Sequence, residues 1–376
     1  MQKTWVEISK KSLIHNLKTF RQIIGPKVNL MSVVKSNAYG HGMVEVAEVA
    51  EKHVDWFGVD NVDEALALKK SGIEKPILIL GYTINSRLAD VVENEFRQTV
   101  YNEETLNELG KLSEKFNKKV YLHFKAETGT SRQGIGLDQL LERLEILKKY
   151  PDLIFEGLST HYANIEDTTD HTFAMEQLER FNKFIEMLKE QGIEVPIKHT
   201  ACSAAAILFP QTFFDMVRVG ISQYGMWSSK ETYVSANGLK RKIELKPIIC
   251  WKTIIAQVKE LEPGTAVSYG LTEKVSHRTR AAIIPVGYWD GYDRRLSSVG
   301  NVLVNGVRCK ILGRICMNMS MVDVTDAGEV KSEDEVVLLG AQGGECITAE
   351  ELAQKIGTIN YEAVTRINPV IKRIIV

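Results

Sequence analysis

Cysteine is scarce and poorly placed for any joint purpose. The five residues, Cys202, Cys250, Cys309, Cys316 and Cys346, are odd in number, far apart and never spaced as Cys-x-x-Cys. Neither a disulfide framework nor a zinc site is expected, and no other metal cluster suggests itself; the five read as buried, reduced thiols. An excess of either charge sign is also missing, since 47 basic residues face 48 acidic ones for a formal net charge of -1. That balance leaves no electrostatic footprint for nucleic acid or an anionic membrane, so small, locally bound ligands are the expected partners. No apolar run is long enough to span a bilayer, and the stretch from Met1 to Lys11 has no apolar core of signal-peptide length, which predicts a soluble cytoplasmic protein. Internal repeats and low-complexity segments are absent, and no Gly-x-Gly-x-x-Gly follows the first strand candidate, so a dinucleotide-binding fold has no positive support.

What is present is a chain of 376 residues, 44% of them hydrophobic, enough for more than one core and hence for two domains. In its first part, short apolar runs alternate with longer amphipathic ones, the pattern of βα units around a parallel sheet. Eight strand candidates follow in order: Asn29 to Lys35, Trp56 to Asp60, Pro76 to Gly81, Arg97 to Tyr101, Val120 to Ala126, Phe155 to His161, Ile197 to Cys202 and Met216 to Ile221. Helical patterns lie between them, including Val44 to His53, Asp63 to Ser71, Glu103 to Phe116, Leu137 to Tyr150 and Thr172 to Gln191. Lys111 to Lys119 reads as a solvated helix face. This is the arithmetic of a (β/α)8 TIM-type barrel, with a doubly wound sheet as the structural rival. A polar segment from Ser228 to Lys246 then breaks the rhythm, and the domain boundary is placed there, with a barrel over 1-235 and a second domain over 236-376. The second part is strand-rich, with Asn305-Gly306 as a hairpin turn and Thr348 to Gly357 as a helix with a capping box and a glycine stop. It reads as a mostly β domain of Greek-key or barrel type.

Lys35 stands at the end of the first strand candidate, inside Ser32-Val33-Val34-Lys35-Ser36-Asn37-Ala38-Tyr39-Gly40-His41-Gly42, where the glycines signal a tight turn. Alone, it is either a strand-end cation reaching solvent or a reactive amine. Successive strand ends carry further polar residues: Tyr39, Lys125 with Arg132, His161, Ser203, and Arg218 with Gly220 and Ile221. Scattered polar residues have no reason to recur at successive strand ends, whereas a site at one mouth of a barrel requires it. Ser203 and the backbone amides near Gly220 and Ile221 suit a phosphate group. A phosphate anchor and a strand-end lysine together suggest pyridoxal 5'-phosphate held as a Schiff base.

These segments resemble the alanine racemase family. The match runs through the Lys35 to Gly42 segment, His123 to Ile135, Thr160-His161-Tyr162-Ala163, Val217 to Ile221, Val267-Ser268-Tyr269-Gly270, Gly313-Arg314-Ile315-Cys316-Met317 and Asn360-Tyr361-Glu362. The resemblance implies an N-terminal barrel whose β domain also takes the first few residues, and a head-to-tail homodimer that shares its active sites. It implies interconversion of L- and D-alanine, supplying D-alanine for peptidoglycan, with Lys35 as base on the D side and Tyr269 of a second chain on the L side. By the same resemblance, Tyr39, His161, Ser203, Arg218, Gly220, Ile221 and Tyr361 join Lys35 in holding the cofactor. Arg132 and the amide of Met317 meet the substrate carboxylate, and Lys125 matches a lysine often carbamylated in the family. The chain departs from the usual pattern at Asn318, Cys202, Thr130, Ser131 and the tail from Ile367. Asn318 and Cys202 keep open an alternative, a racemase of serine, lysine or broader specificity.

Overall fold

The computed structural model describes residues 2–240 and 242–376. Eight parallel strands form a nearly closed barrel, Asn29–Val33, Trp56–Val59, Ile77–Ile79, Arg97–Val100, Val120–Lys125, Leu153–Ser159, Ile197–His199 and Met216–Val219. The eighth pairs with the first, from Asn29 opposite Met216 to Ser32 opposite Val219. The remaining seam, between the seventh and eighth, is bridged by the Asp215 amide on the Lys198 carbonyl at 3.0 Å and the Arg218 amide on the Ala201 carbonyl at 3.0 Å. The strands are apolar runs because both faces are covered, one by the barrel interior and one by helices. Leu122 and Phe124 of the fifth strand pack with Leu109, Leu140 and Phe181 of the surrounding helices.

The helix Glu103–Phe116 shows how local sequence sets an element. Its buried residues Leu106, Leu109, Gly110 and Ser113 fall at helical spacing, and the left-handed Asn117 ends it. Gly110 is required by packing, since a Cβ there would lie 2.3 Å from the Tyr150 ring. Lys111, Lys115 and Lys119 are exposed, as a solvated face demands. Several helices fall outside the patterns read from the sequence, among them the short Leu88–Glu93, Ser203–Leu208 and Asn360–Thr365 and two longer ones. Lys10–Ile24 buries Leu13, Leu17, Phe20 and Ile24, and Lys230–Asn237 lies within the polar segment after Trp227. The latter segment is therefore not a loose linker: the Ser229 hydroxyl caps its helix by accepting the Thr232 amide at 2.9 Å and donates to the Glu166 carbonyl at 2.7 Å.

The chain divides into two compact units, one of Leu13–Ser36 with Ala47–Lys246, the other of the residues up to Ser12 with Asn37–Val46 and Pro247–Val376. The second unit is mostly β. Its main sheet runs Gln257–Leu261, Thr279–Ile284, Ser320–Asp323, Val307–Leu312, Asn301–Val304, Glu335–Gln342, Ile249–Ile254, Thr4–Ile8 and Arg373–Ile375 in spatial order. Val304 pairs with Val307 across Asn305 (φ 51°) and Gly306 (φ 76°), both left-handed as a two-residue hairpin turn needs. At the helix Ala349–Ile356, Thr348 accepts the Glu351 amide at 3.1 Å. Only that half of the expected capping box forms, because the Glu351 carboxylate turns to Arg308 at 2.9 Å.

Candidate active site

The first barrel strand ends under tight control. The carbonyl of Val33 accepts from the Gln223 amide group at 2.9 Å and the Tyr224 hydroxyl at 2.6 Å, while Gln223 also accepts from the Ser32 hydroxyl at 2.6 Å. Two residues later Lys35 extends its Nζ to Asp60 Oδ1 at 3.3 Å. The turn that follows is left-handed: Ser36, Asn37, Ala38 and Tyr39 have φ of 54°, 55°, 52° and 54°. Such a run costs about 1–2 kcal/mol per residue, so it exists only because its surroundings impose it. Glu64 accepts the Ser36 amide at 2.6 Å through one oxygen and the Asp60 amide at 2.7 Å through the other. Within the β unit, the Asn37 side chain accepts the Met43 amide at 3.0 Å, and Nδ1 of buried His41 faces the Ala38 carbonyl at 2.9 Å. Gly40 (φ 87°) then meets the backbone of Val364, whose oxygen would be 2.1 Å from any Cβ. The buried Arg373 guanidinium donates to the Gly40 carbonyl at 2.8 Å.

Across the barrel unit, Arg218 is 7% exposed and has no carboxylate among its hydrogen-bond partners in the described residues. It donates to the carbonyls of His199, Thr160 and Thr200 at 2.8, 2.8 and 2.9 Å and meets His199 Nδ1 at 2.7 Å. Burial lowers its pKa to about 10. His161 Nδ1 lies 3.5 Å from the same guanidinium, and burial followed by the charges of Lys125 and Arg218 keeps this imidazole neutral far below its ordinary range. The His161 carbonyl is held by the Thr130 hydroxyl at 2.5 Å and by Gln177 at 3.1 Å, and Gln177 also accepts the Ala163 amide at 2.9 Å. Ser203 Oγ accepts the Gly220 amide at 3.0 Å and the Ser222 amide at 3.4 Å. Beside them the Ser222 hydroxyl is buried with no hydrogen-bond partner among the described residues.

Lys125 ends the fifth strand. Its ammonium is held well below the usual lysine range by burial, then by Arg218 and Arg132, with Glu127 opposing. Arg132 is exposed on the loop closed by the Glu127 amide on the Ile135 carbonyl at 2.9 Å and the Ile135 amide on the Lys125 carbonyl at 2.9 Å. Gly134 (φ 149°) permits that closure, since a Cβ would sit 2.7 Å from the Glu127 nitrogen.

The remaining candidates belong to the β unit. Tyr39 and Tyr361 have ring centroids 5.9 Å apart. Tyr269 is 72% exposed and Met317 55% exposed. The Tyr269 turn is strained, with Ser268 at φ 68° and Leu271 at φ 50°. It is tied down by the Ser268 hydroxyl on the Arg314 carbonyl at 2.5 Å. The Met317 carbonyl accepts the Trp289 amide at 3.0 Å.

Comparison with known proteins identifies this arrangement. The alanine racemase N-terminal domain matches residues 8–227 and the alanine racemase C-terminal domain residues 248–375. The chain belongs to the alanine racemase family. An alanine racemase of Methanococcus maripaludis is 38% identical over 98% of both chains, and one of Leptospira interrogans 39% identical over 99% of this chain and 96% of that protein. The structure of alanine racemase from Clostridium difficile superposes with a TM-score of 0.94 at 32% identity, covering 100% of this chain and 96% of that one. The structure of alanine racemase from Bacillus anthracis with bound L-Ala-P gives 0.93 at 34%, covering 100% and 95%.

The sequence reading gathers Lys35, Tyr39, Lys125, Arg132, His161, Ser203, Arg218, Gly220 and Ile221 at one end of the barrel strands; all lie after or at those strand ends except that Tyr39, beyond the left-handed turn, belongs to the β unit. It misses the residues that hold them: Asp60 and Glu64 after the second strand, Gln177 in a helix, Gln223 after the eighth strand, and His123 and His199 inside the barrel. Polar residues inside otherwise buried runs, such as His123 between Leu122 and Phe124, are the signal that marks them.

Proposed function

We propose that the chain racemises alanine with pyridoxal phosphate, and that Lys35, His161, Ser203, Arg218, Gly220 and Ile221 hold the cofactor, with Tyr39 and Tyr361 from the β unit. The observation that carries this reading is the convergence at one barrel mouth of a primary amine, a buried guanidinium and a small hydroxyl with backbone amides. The donor set fits the group: Ser203 and the Gly220 and Ser222 amides already meet, and the buried Ser222 hydroxyl has hydrogen-bonding capacity to offer a phosphate. When bound, the cofactor supplies the electron sink that makes the α-proton of the amino acid removable.

The chain's own residues then move that proton. Lys35 Nζ takes it or returns it on the D side, and Tyr269 Oη of a second copy does so on the L side, so that one base stands on each face. A homodimer is thus part of the reading, supported by the exposure of Tyr269 and Leu271 in a single chain. Arg132 and the Met317 amide orient the substrate carboxylate. Arg218 would face the cofactor's ring nitrogen; with a pKa of about 10 it stays charged at neutral pH and cannot easily give that nitrogen a proton, which favours proton exchange over decarboxylation. The relatives are alanine racemases, which favours alanine over serine, lysine or a broader set.

Lys35→Ala should abolish both the yellow colour of bound cofactor and the racemisation of L-alanine. Tyr269→Phe should keep the colour and lose at least about a hundredfold in turnover of L-alanine. Wild-type protein with neither colour nor deuterium wash-in at the alanine α-carbon in D2O would overturn the reading.

A further inference from the structure

The barrel interior holds a chain of hydrogen bonds that none of the roles above uses. From Arg218 it passes through His199 Nδ1 at 2.7 Å, from His199 Nε2 to His123 Nδ1 at 2.8 Å, and from His123 Nε2 to Glu156 Oε2 at 3.1 Å. Arg97 closes the far end, its Nε 3.4 Å from the same Glu156 oxygen and its guanidinium over the rings of Trp56 and Tyr121 at 5.4 and 4.7 Å. His123 is 0% and His199 1% exposed, and burial lowers the pKa of each imidazole.

The donors in this chain can run in only one direction. A carboxylate accepts and cannot donate, so His123 must carry its proton on Nε2. A neutral His123 then has a bare Nδ1, to which His199 must donate from Nε2, and the bare Nδ1 of His199 accepts from Arg218. Glu156 thereby fixes two tautomers and, through them, the guanidinium. The opposite tautomer of His199 would set an N–H against the Arg218 N–H. The fold makes room for the chain at a cost in side-chain volume: a Cβ on Gly157 would lie 2.4 Å from His123 Nδ1, and the strand pairing shifts register between Leu122 and His123.

We propose that Glu156 is a positioning residue for the racemase reaction, acting through His123 and His199 to set the orientation of Arg218. This rests on the reading of Arg218 as the residue that faces the cofactor ring. The test uses holoenzyme with 15N-labelled histidine. Long-range 1H–15N NMR should show His123 and His199 both as Nε2–H tautomers, each assigned by its loss in a His→Gln variant. Glu156→Gln keeps an acceptor and should keep the tautomers and kcat within about threefold. Glu156→Leu removes the acceptor and should lower kcat about tenfold or more with KM little changed, together with a shifted absorbance of the bound cofactor. An Nδ1–H tautomer at His199 in the wild type overturns the proposal without reference to activity. So does Glu156→Leu with wild-type kcat and absorbance, and so does equal loss of kcat in Glu156→Gln and Glu156→Leu, which would make charge and not direction the cause. If Glu156→Leu does not fold, the wild-type tautomers and the Glu156→Gln variant still decide. Wild-type protein with the stated tautomers but no cofactor colour and no racemisation fails instead at the proposed function.

Discussion

Lys125 is a cation set among cations. Burial and the nearby Arg218 and Arg132 hold its ammonium well below the usual lysine range, so its nitrogen lone pair is available at neutral pH far more than in a solvated lysine. A free amine attacks carbon dioxide, forming an N–C bond and releasing a proton, and the product is a carbamate anion. That one step converts repulsion from Arg218 and Arg132 into attraction. We propose that Lys125 is carbamylated in this way, and that the new anion orients Arg132. Protein equilibrated with 13C-bicarbonate should give a carbamate 13C resonance that disappears in Lys125→Ala; wild-type protein without the resonance would refute it. The signal for this chemistry in the sequence is the resemblance alone, because the burial and the two arginines come from different strands and loops.

At the scale of elements, the left-handed turn Ser36 to Tyr39 is the least legible part of the chain. Asn37 tolerates positive φ, but Ser36, Ala38 and Tyr39 have no such preference. The turn is a product of tertiary contacts, among which Glu64 is central, one carboxylate holding two amides on either side of the Lys35–Asp60 pair. Glu64→Ala should lower the urea midpoint by the equivalent of about 1–3 kcal/mol, and Glu64→Gln, which retains one acceptor oxygen, should lose less. Equal midpoints in wild type and Glu64→Ala would show that the turn is held elsewhere. The barrel strands, by contrast, are readable because strands buried on both faces must be short apolar runs, and their ends follow from where the runs stop. The helix Lys10–Ile24 carries a readable spacing in Leu13, Leu17, Phe20 and Ile24, obscured by the polar residues before it. Lys230–Asn237 buries only Thr232 and Ala236, too little for a periodic signal.

For the molecule as a whole, the strand-end residues are legible because position along a strand is a sequence property. The residues that orient them are not, since Glu156, His123 and His199 meet only when three strands lie side by side. Those buried histidines have a consequence for stability. In His41 burial lowers the pKa from the ordinary 6.5 to about 4, against the Ala38 and Tyr39 carbonyl hydrogen bonds, and His123, His161 and His199 are shifted the same way. Each is neutral when folded and free to take a proton when unfolded. The unfolded chain therefore binds more protons at pH values between the folded and unfolded pKa, so stability rises with pH across that interval and is lost as pH falls. For His41 the interval runs from about 6.5 down to about 4 and is worth about 3 kcal/mol. The urea midpoint should thus be flat above about pH 7 and fall steadily toward about pH 5, before most carboxylates titrate. His41→Asn, which keeps a donor for the Ala38 carbonyl but does not titrate, should flatten part of that slope even where it lowers the midpoint at neutral pH. A midpoint unchanged from about pH 7 to about pH 4.5 would mean that these imidazoles meet water in the native protein.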